Sequence, residues 1–254
     1  MLKTVSDPDI KVAVRCNGLI ALGDIAQRHP NLFEPSSEHL FALLRDKELR
    51  VRKRTLLIVT HLVLNDMLKI KGQIGDVLQC LVDSSMKSTA STFLHELNSK
   101  DNNIIINLIP DAISRLVNSD HDTFKTLMGK MFGYVQKERA FAPLIDKLCD
   151  RLIPMTNENE WENIAFCLGS LNYNEKTTRK LLENSGSWTE KVLRNVKVKE
   201  YFDGILQKAK KAWKNDNRAL LDELESRLNG YTSATQVEEG KSQVVVGRRR
   251  RRAK

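Results

Sequence analysis

Glycine and proline are scarce in this chain, with 12 and 6 copies among 254 residues, and aromatic residues make up only 6%. So few turn formers leave little material for the many tight connections of an all-β fold. So few aromatics suit aliphatic packing between helices better than a β-sandwich core. No run approaches the ~20 apolar residues that a helix needs to cross a bilayer, so no membrane span is expected. The opening residues, Met1-Leu2-Lys3-Thr4-Val5-Ser6-Asp7-Pro8, lack the apolar core of a secretory leader. There is also no Asn-x-Ser/Thr glycosylation acceptor.

The signatures of common chemistries are missing as well. There is no Gly-x4-Gly-Lys-Ser/Thr phosphate loop and no Gly-x-Gly-x-x-Gly turn, and His95-Glu96 is not followed by the second histidine of a zinc-protease helix. No Cys-x-x-Cys pair offers zinc a ligand set. Cys16, Cys80, Cys149 and Cys167 lie far apart within apolar helical patterns, which predicts buried, reduced thiols in a reducing compartment. The five histidines are scattered, and His61 reads as a packed or hydrogen-bonded residue of a helix. The adjacent carboxylates Glu238 and Glu239 fall where no pocket is expected to perturb them. The expectation is a protein that is not an enzyme, with no metal, no cofactor and no small-molecule substrate.

What is present is helical and repetitive. Hydrophobic residues make up 41% of the chain and charged residues 29%, enough to build a core. Asp7, Asp46, Asp83 and Asp120 each precede an apolar helical run, at spacings of 39, 37 and 37 residues. An aspartate at a helix N-cap accepts hydrogen bonds from free backbone N–H groups and favours the positive end of the helix dipole. Shorter helices fit the gaps, one capped by Ser36 or Ser37, one over 74–82, and one over 104–117 with a break or kink at Pro110. Further helices are expected over 138–151, 159–170, 175–183, 199–213 and 218–228. No Asp-led copy is visible after Asp120, so the repeat reads as decaying there. Two amphipathic helices every ~40 residues are the mark of HEAT or armadillo arrays, in which each pair buries its apolar face only against its neighbours. The fold expected is all-α, a HEAT-repeat α-solenoid of stacked antiparallel helix pairs over residues 1–228. Residues 229–254, poor in apolar residues, are expected to be a disordered basic C-terminal tail.

The net charge of +9 is concentrated at one end. From Lys191 to Lys254 there are 17 Lys and Arg against 8 Asp and Glu, and the preceding residues are neutral. Arg248, Arg249, Arg250, Arg251 and Arg252 form a run that repels itself and suits a nuclear localisation signal or a phosphate-binding arm, or else only solubilises the chain. A second run, Arg50, Arg52, Lys53 and Arg54, would spread over about 200° of helix at ~100° per residue. Its plain reading is pairing with acids of neighbouring repeats and solvation; the sharper one is DNA contact. Lys208, Lys210, Lys211 and Lys214 give a weaker basic patch, beside which Trp213 reads as core rather than as a base-stacking platform.

Longer stretches carry a resemblance. They are Val51-Arg52-Lys53-Arg54-Thr55, Thr60 through Lys71-Gly72-Gln73, Phe93-Leu94-His95-Glu96-Leu97, Asn107 through Leu116, Leu148-Cys149-Asp150-Arg151, Ile164 through Leu168, and Arg179-Lys180-Leu181. In order and spacing they resemble the C-terminal HEAT region of the condensin complex subunit 1 family, from about Asp7 to Leu228. The resemblance implies a non-catalytic scaffold in mitotic chromosome condensation. Its implied partners are the SMC ATPases and kleisin of condensin, together with chromatin, as DNA or histones. It also implies a place in the nucleus and on chromosomes, with a cytoplasmic pool. Members of that family are far longer than this chain. The alternative is a HEAT adaptor of the nuclear-transport or phosphatase-scaffold type. Against it, Trp161, Trp188 and Trp213 all lie outside the Asp-led repeats rather than lining an ordered array.

If the arginine run is an import signal, deleting Gly247 to Lys254 lowers nuclear accumulation of a fluorescent fusion in living cells. Unchanged accumulation would remove the import reading.

Overall fold

The computed structural model describes residues 1–136, 138–186, 188–212 and 219–229, and among them there are helices and no strand. The chain divides into two compact units, Met1–Val135 and the residues from Gln136 onward.

In the first unit the helices are α1 (Leu2–Ser6), α2 (Val12–Arg28), α3 (Pro30–Phe33), α4 (Ser37–Ala42), α5 (Leu49–Leu64), α6 (Ile74–Gln79), α7 (Lys87–Lys100), α8 (Asn102–Leu116) and α9 (His121–Phe132). They form two layers. Helix α5 packs on α2 and α7, while α6 packs on α4 and α8. Between the layers lie Leu19, Leu40, Leu56, Val59, Leu62, Ile74, Phe93 and Ile109, all essentially inaccessible. The apolar runs read from the sequence are thus helices, although Ile25 and Leu57 face outward, 43% and 51% exposed. The second unit repeats the scheme with α10 (Phe141–Leu152), α11 (Glu158–Gly169), α12 (Glu175–Asn184), α13 (Thr189–Val192), α14 (Val196–Ala212) and a helical segment over 219–229. Here α10 packs on α12, and α11 packs on α14. This stacking of helix pairs within each unit is the HEAT-type all-α architecture expected.

The repeat does not decay after Asp120. Asn157 and Asn195 continue it, so the spacings run 39, 37, 37, 37 and 38. Each of the six side chains accepts a bond from a backbone N–H two or three residues on. The donors are Asp9, Glu48, Ser85, Thr123, Asn159 and Lys197, at 2.9 to 3.0 Å. Aspartate and asparagine share this turn chemistry, and matching aspartate alone hides the last two copies. Asp120 and Asn157 are N-caps in the strict sense. Asp7, Asp46 and Asp83 instead form the turn just ahead of the first helical residue, where the cap positions are Lys11, Glu48 and Met86.

Two other local expectations, the serine cap and a break at Pro110, are not met. Neither serine caps α4 with its side chain, because the Ser37 hydroxyl donates to the Glu34 carbonyl at 2.7 Å. Helix α8 continues unbroken through Pro110. Buried Ile105, Leu108, Ile109, Ala112 and Ile113 flank the proline on both sides, and their packing outweighs the ~3 kcal/mol that a proline costs a helix interior.

Charged side chains tie one repeat to the next. Arg15 is 1% exposed and donates Nε to the Val5 carbonyl at 2.8 Å, while its two terminal nitrogens hold both carboxylate oxygens of Asp46. One repeat further on, Arg52 binds Asp83 at 2.8 Å and also the carbonyls of Asp46 and Lys47. Lysines close helix ends in the same way. Lys100 donates to the Leu64 carbonyl at the end of α5 and pairs with Asp66, a left-handed residue with φ 61°.

The sequence alone assigns Asp46 a cap worth ~1 kcal/mol. The buried Arg15 raises the stake. Asp46→Ala should cost about 3 kcal/mol, because it leaves an uncompensated buried guanidinium. Asp46→Asn, which keeps the turn acceptor, should recover part of that loss. Urea melts of both variants check this, and a loss near 1 kcal/mol for Asp46→Ala would mean that only the turn matters.

Candidate nucleic-acid and partner interface

Arg50, Arg52, Lys53 and Arg54 lie in the first turns of α5. Arg52 is consumed by Asp83, whose carboxyl is held below its usual range first by the hydrogen bond from Arg52 and then by the Ser85 N–H. The other three are exposed. Taking ~100° per residue, Arg50, Lys53 and Arg54 fall within about 100° of arc. The apparent spread of the run therefore came from Arg52, the one residue with a structural task. What remains is a single cationic stripe, and neither Arg50 nor Arg54 forms an ion pair among the described residues.

The lysines of α14 are not brought together in this way. Lys208 donates to the Gly169 carbonyl at the end of α11. Lys210 pairs with Glu225 at 2.7 Å. Lys211 is exposed on the helix. Lys214, Trp213 and the run Arg248, Arg249, Arg250, Arg251 and Arg252 lie outside the described residues.

Sequence reasoning missed a polar cleft of about 720 Å3 in the first unit. Helix α4 with the 3-10 turn Leu43–Arg45 after it, α6 and the end of α8 wall it with Glu38, His39, Arg45, Asp76, Gln79 and Arg115. Gly72 and Gly75 make room for Arg115. A Cβ on Gly75 would stand 2.8 Å from the arginine's own Cβ, and one on Gly72 would stand 3.3 Å from its guanidinium. Arg45 reaches Asp76 at 3.3 Å. Partial burial raises the Asp76 pKa, and the charges of Arg45 and Arg115 oppose that shift. The sequence signal for this cleft was the Lys-Gly-Gln stretch over 71–73 with Gly75, whose close approach to Arg115 is invisible without the fold.

The cysteines are free and buried, as the sequence suggests. Burial pushes the thiols of Cys80 and Cys149 up to about 12, and that of Cys167 well above its usual value. They are therefore protonated at neutral pH and are poor nucleophiles. His61 is exposed and lies 3.3 Å from the Asn65 amide. Among the described residues no cluster of His, Cys, Asp and Glu could hold a metal, and no helix is long and apolar enough to cross a membrane.

Iodoacetamide should therefore label Cys80, Cys149 and Cys167 far more slowly in the native chain at pH 8 than after denaturation, read by mass spectrometry. The unfolded thiols ionise near pH 8.5 while the folded ones stay protonated. Above that pH the unfolded state binds fewer protons, so stability should fall as pH rises. A Cys149→Ala comparator isolates one thiol's share.

Residues 13–169 match the family described as non-SMC mitotic condensation complex subunit 1. The chain is 37% identical over 235 residues to "Condensin-1 complex subunit CAP-D2" of Arabidopsis thaliana, covering 91% of this chain and 17% of that protein. It is 35% identical to "Condensin complex subunit 1" of Xenopus laevis and of Homo sapiens, covering 90% and 85% of this chain but 17% and 16% of theirs. It thus spans about a sixth of the length of these relatives. With its helix pairs, its Asx-led period and this similarity along most of its length, the chain belongs to the condensin complex subunit 1 family.

Proposed function

We propose that this chain is a non-catalytic scaffold segment of a condensin complex, supporting mitotic chromosome condensation in the nucleus and on chromosomes. It would act by binding alone, holding SMC ATPase and kleisin partners and contacting chromatin. The observation that carries this reading is the family match over residues 13–169, which contain both the 720 Å3 cleft and the stripe on α5. The cleft wall mixes two arginines, two carboxylates and two glutamines, which suits a protein segment better than the continuous negative charge of DNA. The stripe of Arg50, Lys53 and Arg54 suits phosphates, which are met by exposed, unengaged cations. The arginine run 248–252 has the composition of an import signal or a second phosphate contact, and a cytoplasmic pool would precede import.

Two measurements test the reading. Capture of SMC ATPases and a kleisin by the full chain from mitotic extract, abolished by Arg45→Glu with Arg115→Glu, would establish the docking role. Their absence would remove it. For DNA, replacing Arg50, Lys53 and Arg54 by Gln should weaken duplex binding at all sequences. The slope of log K against log salt should become shallower by about 2.7, at ~0.9 per phosphate contact. An unchanged slope in fluorescence anisotropy titrations would take the stripe out of the DNA interface.

A further inference from the structure

Helices α2, α5 and α7 each follow a marker, and they form one row in which each packs on the one before it. Helix α9 follows the fourth marker, Asp120, and by the period it should extend that row. It packs on α8 instead, and its contact with α7 is slight.

Both joints within the row carry an ion pair, Arg15 with Asp46 and Arg52 with Asp83. In each pair the two residues stand 31 positions apart. The same count back from Asp120 reaches Thr89, a half-buried residue in the first turn of α7. Threonine offers a carboxylate no charge. The Asp120 side chain instead accepts the Thr123 N–H at 2.9 Å, within its own turn. The fourth marker thus sets the start of α9 without tying it, as Asp46 and Asp83 tie α5 and α7, to the repeat before.

The core side chains of α9 differ in kind as well. Helix α5 buries Val51, Val59 and Val63, whereas α9 buries Met128 and Met131 beside Phe124 and Leu127. A β-branched valine has one favoured rotamer in a helix and holds its neighbours in one place. Methionine is unbranched, with three rotatable bonds, and keeps its contacts over a range of positions. A shift of about 1–2 Å, the size of a helix movement in known switches, therefore costs the α9 interface little. The same shift between α2 and α5 would part Arg15 from Asp46 and leave a buried guanidinium unpaired.

We propose that the joint between α7 and α9 is a shear joint, at which α9 slides along α8 while α2, α5 and α7 stay in register. Thr89 is the residue that frees it. The stripe on α5 and the cleft walled by α4, α6 and α8 lie on the fixed side, so both keep their geometry as α9 moves. The joint is a property of the packing and does not depend on what either surface binds.

The test is pulsed electron spin resonance on the full chain, with nitroxide pairs on cysteines introduced at exposed positions. One pair, Gln27→Cys on α2 with Glu96→Cys on α7, spans the two tied joints. The other, Leu57→Cys on α5 with Lys130→Cys on α9, spans one tied joint and the free one. The four native thiols are buried, and mass spectrometry confirms that two labels are attached. The expected distance distribution for the α5–α9 pair is at least twofold broader than for the α2–α7 pair. Thr89→Arg, which supplies the missing partner of Asp120, should narrow it towards the α2–α7 width. Adding Asp120→Asn, which keeps the turn acceptor and removes the charge, should restore the breadth. Equal widths for the two pairs in the otherwise unaltered chain would overturn the proposal, whatever the stability of the arginine variant. An α5–α9 width unchanged by Thr89→Arg in a chain that keeps its helical circular dichroism would overturn it too.

Discussion

The buried guanidinium of Arg15 is the constraint on which the first unit depends. A guanidinium with 1% exposure is costly to bury without a partner, and Asp46 supplies one from the following repeat. The pair does more than neutralise charge. Asp46 also accepts the Glu48 N–H with the same carboxylate, so one side chain sets the turn before α5 and the position of α5 against α2. Shifting either helix along its axis would break the turn or strand the charge. Apolar ridges alone tolerate such slips more readily, because one aliphatic side chain substitutes for another at modest cost. The Arg52–Asp83 link repeats the device one period later. No arginine continues it at the corresponding position before Asp120, where Thr89 stands.

Much of this was legible in the sequence, because periodicity in a solenoid is written in every copy. Helix type, helix pairing and the first four period markers follow from apolar spacing and from aspartate. The continuation at Asn157 and Asn195 was hidden by reading identity rather than chemistry, since either residue type makes the same turn. Arg15 was overlooked because a single arginine in an apolar run looks like a solvent-facing residue until the following repeat is laid against it. Pro110 misled for the opposite reason. Its local cost is real, but the six buried positions of α8 decide the outcome together.

The candidate surface shows a related limit. Basic residues in a helical array have two employments, and sequence does not separate them. Some close carbonyl ends or bind acids one repeat away, as Arg52, Lys100 and Lys208 do. Others are left facing solvent, as Arg50, Lys53 and Arg54 are. The separation needs the period. A cation six to eight residues after one marker can meet the following marker across the helix pair, whereas its neighbours on the outer face form no ion pair among the described residues. Subtracting the first class turns a diffuse basic run into a narrow stripe on α5, and it leaves Lys211 as the α14 lysine without a partner among the described residues.

The same subtraction applies to acids. In α10 and α12, Asp146 is bound by Asn184 at 2.7 Å and by Lys180, and Glu183 by Lys180, so most of the negative charge on that face has an internal use. Asp150 is exposed and makes no ion pair among the described residues. A tryptophan chosen only for bulk could sit with its nitrogen toward a carbonyl, as Trp161 does with Met155 at 3.2 Å. Trp188 lies deeper, 1% exposed against 9%, and its nitrogen has no such carbonyl among the described residues. Its ring instead packs on Phe202 at 5.3 Å between centroids, and that burial works against the cost of the unpaired donor.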